Sequence, residues 1–184
     1  MLPRYVLRKL RLIQEEDLVR PAIASLSRLV RGWERQQGAA AFEWIAHEFL
    51  LPTKRSDVLA RLQRHQAQNH RVVLVSGVLM PCLELIGAQF GITDLIGTQL
   101  ELKESKYTGR IIPPAITGKD KAPKAREFFG TRGLQVDWQA SYAYADSIHD
   151  RSLFEEVGHP VAVYPDSELL GLARSRGWEV IGSE

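Results

Sequence analysis

Along the first third of the chain, apolar residues recur at helical spacing. Leu7, Leu10 and Ile13, then Leu18, Ile23, Leu26, Leu29, Val30 and Trp33, fall near a 3.6-residue period. Gly38 is expected to break the run, and Phe42, Ile45, Ala46 and Phe49 resume it between Ala39 and Leu51. Pro52 and Thr53 punctuate the chain, and Ser56, followed by Asp57 in the first turn, suits the N-cap of a helix ending near Gln68. The spacing predicts that residues 4–70 are almost wholly helical.

At Arg71 the pattern changes. Val72 to Val75 is a short β-branched-rich run without polar alternation, the mark of a strand buried on both faces. A helix is predicted from Pro81 to Phe90, with Gly91 ending it. Residues 93–112 read as extended, Leu100 and Leu102 alternating with Glu101 and Lys103, with a turn near Lys106 to Gly109. Lys121 to Phe129 is predicted helical, Pro123 being tolerable in the first turn. Strand 141–145, helix 150–156, strand 160–164, helix 166–176 and strand 178–181 follow. This strand–helix alternation implies an α/β fold with a parallel sheet and right-handed crossovers. Two segments result, an all-helical one over 1–70 and an α/β one over 71–184.

Composition narrows the class. At 184 residues the chain holds one sizeable domain, or a core with a smaller appendage, and 45% hydrophobic with 25% charged residues is ordinary for a globular protein. The net charge of +2 divides unevenly, residues 1–75 carrying +6 and the remainder −4. Arg4, Arg8, Lys9, Arg11, Arg20, Arg28, Arg31 and Arg35 lie at helical spacing and read first as a solvated helix face, with a nucleic-acid or anionic-lipid surface as the lesser alternative, so no nucleic-acid partner is expected. Cys82 stands alone, which excludes an internal disulfide or a cysteine zinc cluster and suits a reducing cytoplasm. The most apolar stretch, 72–90, is interrupted by Ser76, Pro81, Glu84 and Gln89 and makes a poor membrane span. Met1 to Leu10 lacks the apolar segment and cleavage site of a signal peptide. Trp33 and Trp44 are expected in the core.

Candidate chemistry collects where apolar runs end in polar residues. A parallel α/β sheet gathers ligands at the carboxyl ends of its strands, so Ser76, Asp146 and Asp150 would share one edge. Asp146 and Asp150 straddle a strand end and the next helix, and hard oxygen ligands suit Mg²⁺. Equally, Asp146 would serve as a helix cap and Asp150 would pair with Arg151 or meet solvent. Ser76-Gly77 closes the first strand, where a hydroxyl and following backbone N–H groups either hold a phosphate oxygen or cap a helix. Lys119 and Lys121 follow Gly118 at a helix start, an unfavourable end for a cation, so either a nearby anion such as phosphate compensates them or each is a solvated loop lysine. His149 could touch a ligand, whereas His47, His65, His70 and His159 show no ligand spacing. Dinucleotide-binding, P-loop and Gly-x-Ser-x-Gly motifs are absent from the sequence.

The order strand–Ser76, Gly118-x-x-Lys121, Asp146-x-x-x-Asp150 resembles the later motifs of the haloacid dehalogenase (HAD) superfamily. The stretches Ser141 to Asp150, Val157 to Val163, Pro165-Asp166 and Leu169 to Trp178 resemble its phosphoserine phosphatase-like branch. The likeness spans residues 1–184, with the first 70 similar to that branch's helical cap and Tyr164 standing where asparagine is expected. It implies a Rossmann-like parallel sheet with an all-helical cap. It also implies Mg²⁺-dependent phosphomonoester hydrolysis through an aspartyl-phosphate, acting on a small phosphorylated metabolite. By position, Ser76 and Gly77 would bind the transferring phosphoryl group and Lys121 would neutralise it. Asp146 would hold Mg²⁺, and Asp150 would support the metal or its waters.

That family starts its reaction at an Asp-x-Asp motif ending the first strand. These residues contain no Asp-x-Asp, and Asp17 and Asp57 sit in helical stretches. The chain thus resembles the family without its first strand and nucleophile, and is expected to be inactive as written. Two rivals remain: a non-catalytic phosphate- or metal-binding module keeping Ser76, Lys121 and Asp146, and a helical interaction protein docking through its basic first half.

Overall fold

The computed structural model describes residues 16–182, so the expectations for Leu7, Leu10, Ile13 and the cations from Arg4 to Arg11 lie outside the described residues. Helix α1 (Glu16–Leu29) is followed by α2 (Arg35–Ile45), which runs on through a π turn (Ala46–Leu50) and a 3-10 turn (Leu51–Thr53). Helix α3 (Ser56–Ala67) completes the helical segment. Then come β1 (Val73–Leu79), α4 (Met80–Gln89), β2 (Asp94–Lys103) and β3 (Lys106–Ile112). The remainder is α5 (Gly118–Thr131), β4 (Tyr142–Ala145), α6 (Arg151–Phe154), β5 (His159–Val163), α7 (Ser167–Arg176) and β6 (Glu179–Ile181). The protein divides into two compact units, residues 1–117 and 118–184.

In the first unit β1 pairs parallel with β2 across the α4 crossover, and β2 turns back on β3 as an antiparallel hairpin. The hairpin turn is Glu104-Ser105, with φ of 50° and 64°, rather than the expected Lys106 to Gly109. Two-residue turns of this kind need positive φ at both central positions and favour Asn-Gly, so this pair hid the turn. Gly109 (φ 77°) lies instead inside β3, where a Cβ would come 2.7 Å from Arg31 Cβ. The core of the unit joins Val30, Phe42, Cys82, Leu100 and Tyr107.

The helical expectation holds over the described residues, but two details change. The break falls at Gly32 (φ 81°), six residues before Gly38. Gly38 lies buried within α2, its missing side chain leaving room for the Tyr107 ring. The tryptophans expected in the core are exposed, Trp33 by 39% and Trp44 by 59%. Helix α1 buries Ile23 and Ser27, with Val30 continuing the stripe just past its end, and α2 buries Gly38 and Phe42, with Ala46 continuing the stripe in the π turn. Each helix carries more apolar residues than one stripe holds. Leu26, Leu29 and Trp44 fall off those stripes and face solvent.

The second unit is the expected strand–helix alternation, with β4, β5 and β6 forming a parallel sheet in that order. Its core joins Ala143, Phe154, Ala162, Leu169 and Ala173. Asp166 caps α7 by accepting from Leu169 N at 2.8 Å, and Gly177 (φ 66°) ends it in the left-handed conformation.

Candidate functional site

Strand β4 delivers Asp146 one residue beyond its carboxyl end, and the chain turns sharply there. Ser147 Oγ accepts from His149 N at 3.4 Å, opening the 3-10 turn Ile148–Asp150. Asp166 fastens this loop to the next strand's end: its N–H donates to Asp146 O at 2.8 Å, and its Oδ2 accepts from Ile148 N at 2.9 Å. Burial acts to raise the Asp166 carboxyl. The bonds from Leu169 N, Ile148 N and Ser147, with the His149 charge, outweigh it and hold the carboxyl below its ordinary value.

Helix α5 meets the loop from the other side. A Cβ on Gly118 would collide with the His149 carbonyl, so only glycine permits this approach. Ser152 Oγ donates to Gly118 O at 3.2 Å and secures it. One turn further, Lys121 Nζ lies 2.6 Å from Asp150 Oδ2, with the side chains 18% and 7% exposed. The anion expected near the start of this helix is therefore supplied, within the described residues, by Asp150. Arg151, the other partner expected for Asp150, pairs with Glu155 at 2.7 Å.

Of the sequence-derived residues in this unit, the fold brings Lys121 and Asp150 together and leaves Asp146 exposed at the strand end. Lys121, not the exposed Lys119, holds the buried pair. His149 is exposed. Among the described residues no three His, Cys, Asp or Glu side chains converge as a metal cage. The donor set still fits Mg²⁺, which is commonly held by one or two carboxylates with waters and phosphate oxygens. Tyr164, at the asparagine-like position, has φ 45° and its ring lies over Gly182. Asparagine tolerates that conformation better than tyrosine does.

Ser76 and Gly77 belong to the first unit. The β1–β2 ladder is regular through Val75↔Ile96 and resumes only at Leu79↔Thr98. Strand β1 therefore bulges at Ser76-Gly77 instead of closing there, a correction to the sequence reading. Ser76 Oγ accepts from Val78 N at 3.2 Å. The fully buried Thr98 holds the bulge, its Oγ1 donating to Gly77 O at 3.0 Å and accepting from Ile116 N at 3.1 Å. A Cβ on Gly77 would lie 2.8 Å from Ile116 O. Sequence reasoning missed Thr98, because its partners are 18 and 21 residues away and nothing local marks it. The capping role of Asp166 was open to view in the Asp166–Leu169 spacing.

A family model described as haloacid dehalogenase-like hydrolase matches residues 3–155. A histidinol-phosphatase of Neisseria meningitidis is 31% identical over 136 residues, 73% of this chain and 61% of that protein. A solved protein of unknown function from Bordetella pertussis Tohama I superposes with a TM-score of 0.83 at 26% identity, covering 97% of this chain and 78% of that one. A phosphoserine phosphatase solved as a phospho-aspartyl intermediate analogue shares the fold at TM-score 0.63 and 16% identity, over 94% of this chain and 74% of that one. The chain spans 53–61% of the length of the first curated relatives it matches.

Proposed function

The chain belongs to the haloacid dehalogenase-like hydrolase family, and from that premise we propose that it carries phosphate-handling machinery for Mg²⁺-dependent hydrolysis of a small phosphorylated metabolite. Residues 1–70 would serve as the helical cap and 71–184 as the α/β core. The observation that carries the reading is the buried Lys121–Asp150 pair, 2.6 Å long and pinned beside the loop that follows β4.

Each residue has a distinct task in this reading. Asp150 is a positioning group: it holds the Lys121 ammonium in place at 2.6 Å while leaving its remaining N–H donors for a phosphoryl oxygen. The family resemblance would assign Ser76 and Gly77, in the first unit, to phosphate binding as well. Asp146, exposed past the end of β4, would hold Mg²⁺, with Asp150 supporting the ion's waters. Bound there, the ion would offset charge on the phosphoryl group. A covalent aspartyl step needs an Asp-x-Asp, and these 184 residues contain none. The chain on its own is therefore expected to bind phosphate without turning over an ester.

The test is calorimetric titration of inorganic phosphate and of Mg²⁺ into the wild type, Lys121→Met and Asp146→Asn. Phosphate affinity should fall at least about tenfold in Lys121→Met, as expected for a charge-assisted contact worth roughly 1.5–3 kcal/mol. Mg²⁺ affinity should fall in Asp146→Asn. Unchanged affinities in both variants would refute the assignment. Aryl phosphate turnover near ~1 s⁻¹ by the 184-residue chain, an ordinary enzyme rate, would place a nucleophile among residues assigned other roles.

A further inference from the structure

The first unit contains a cavity of about 340 Å³ between α2, α4 and the β2–β3 hairpin. Small-molecule sites span roughly 300–1,000 Å³, so it is large enough for a compact ligand. Phe42, Leu85 and Leu100 provide apolar wall, and Arg35, Glu43 and Glu84 contribute charge. No residue assigned to phosphate or Mg²⁺ lines it.

Tyr107 lines the cavity while being only 5% exposed. Its backbone is held by Trp33 O and Gly32 N, and its ring meets Phe42 edge to face with centroids 5.8 Å apart. Its hydroxyl forms no hydrogen bond with the described residues. Burying a hydroxyl without a partner costs about 1–3 kcal/mol. Seating the ring also requires Gly38 in the first turn of α2, and glycine within a helix costs about 0.5–1 kcal/mol relative to alanine. Phenylalanine at 107 would fill the same space and escape the first of these costs. Keeping tyrosine is explained if the hydroxyl meets a ligand.

The surrounding charges indicate which kind. Two carboxylates, Glu43 and Glu84, stand against one guanidinium, Arg35, and among the described residues none of the three is in an ion pair. Burial raises the Tyr107 phenol above its ordinary value, Arg35 opposing and Glu84 reinforcing the shift. The phenol thus stays protonated at neutral pH, able to donate or to accept a hydrogen bond.

We propose that this cavity binds a small amphipathic amine, its ammonium held by Glu84 and Glu43, its apolar body against Phe42, Leu85 and Leu100, and Tyr107 hydrogen-bonded to its polar end. The site is separate from the phosphate-handling residues.

The experiment titrates the 184-residue chain with hexylamine, hexanol and hexanoate, followed by NMR shifts, with phosphate and Mg²⁺ omitted. Failure here therefore leaves the phosphatase reading untouched, and the converse also holds. Hexylamine should saturate at least about tenfold more tightly than either analogue, a difference of roughly 1.4 kcal/mol. Glu84→Gln, an exposed position that among the described residues is in no ion pair, should weaken hexylamine at least fivefold with the circular dichroism spectrum unchanged. Tyr107→Phe should weaken binding while holding or raising the melting temperature. The proposal is overturned if hexylamine does not saturate, if hexanoate binds as tightly, or if Glu84→Gln binds as wild type. A large fall in melting temperature with Tyr107→Phe would overturn it too, by showing that the hydroxyl serves the fold.

Discussion

Replacing Lys121 by methionine keeps the stem of the side chain and removes its charge, which strands the Asp150 carboxylate. Asp150 is 7% exposed and Lys121 18%, and their atoms lie 2.6 Å apart. Removing one partner of a buried pair costs about 3–5 kcal/mol. Some of the Lys121 side chain still reaches water, so a loss of ~3 kcal/mol is expected for Lys121→Met. Asp150→Asn should cost less, ~2 kcal/mol, because a long flexible lysine can swing its ammonium toward solvent. The double variant leaves no stranded charge and should cost no more than Lys121→Met alone, giving a coupling energy of at least ~2 kcal/mol. Urea unfolding followed by fluorescence measures all four proteins, Trp178 reporting on the second core through its contact with Phe154 at 5.3 Å. Additive costs, within about 0.5 kcal/mol, would mean the pair is not energetically coupled. They would also remove the structural ground for treating Lys121 as a positioned phosphate ligand.

Three further outcomes follow from the packing. Gly38→Ala should destabilise the protein by about 1–3 kcal/mol, although alanine is the better helix former, because its methyl would collide with the Tyr107 ring; a higher melting temperature would contradict this. Asp166→Ala should cost about 1 kcal/mol by removing the cap of α7 and the bond to Ile148 N. Since the folded carboxyl is held below its ordinary value of 3.8, its contribution is present above that pH and lost as pH falls through the lower folded value. The variant should lack that part of the acid slope in unfolding measurements taken from neutral pH downward. Burial pushes the Cys82 thiol up to about 11, so a thiol reagent at pH 8 should label the native protein only as fast as it unfolds, and stability should decline as pH rises above about 9. Rapid stoichiometric labelling of native protein would refute that burial.

The sequence by itself determined the elements whose causes are local. The alternation of strand and helix from Tyr142 to Ile181 and the capping by Asp166 and Gly177 depend on residues within a few positions of one another, and they stand in the structure where their spacing put them. Lys121, Asp146 and Asp150 were likewise visible as polar residues at element ends, with Gly118 at the start of a helix. Their partners were not, since Lys121 and Asp150 are 29 positions apart and only the approach of α5 to the His149 carbonyl joins them. Tertiary packing also decided which apolar residues became core. Periodicity shows which residues share a stripe, but α1 and α2 have more apolar residues than their neighbours can cover. Contact with β3 and α4 selected Ile23, Val30 and Phe42 and left Leu29 and Trp44 in water. Gly38 is a helix breaker by propensity and a packing residue in fact, because the Tyr107 ring that needs its space is 69 positions away. Local pattern acts through neighbours in sequence, whereas these choices were made by neighbours in space.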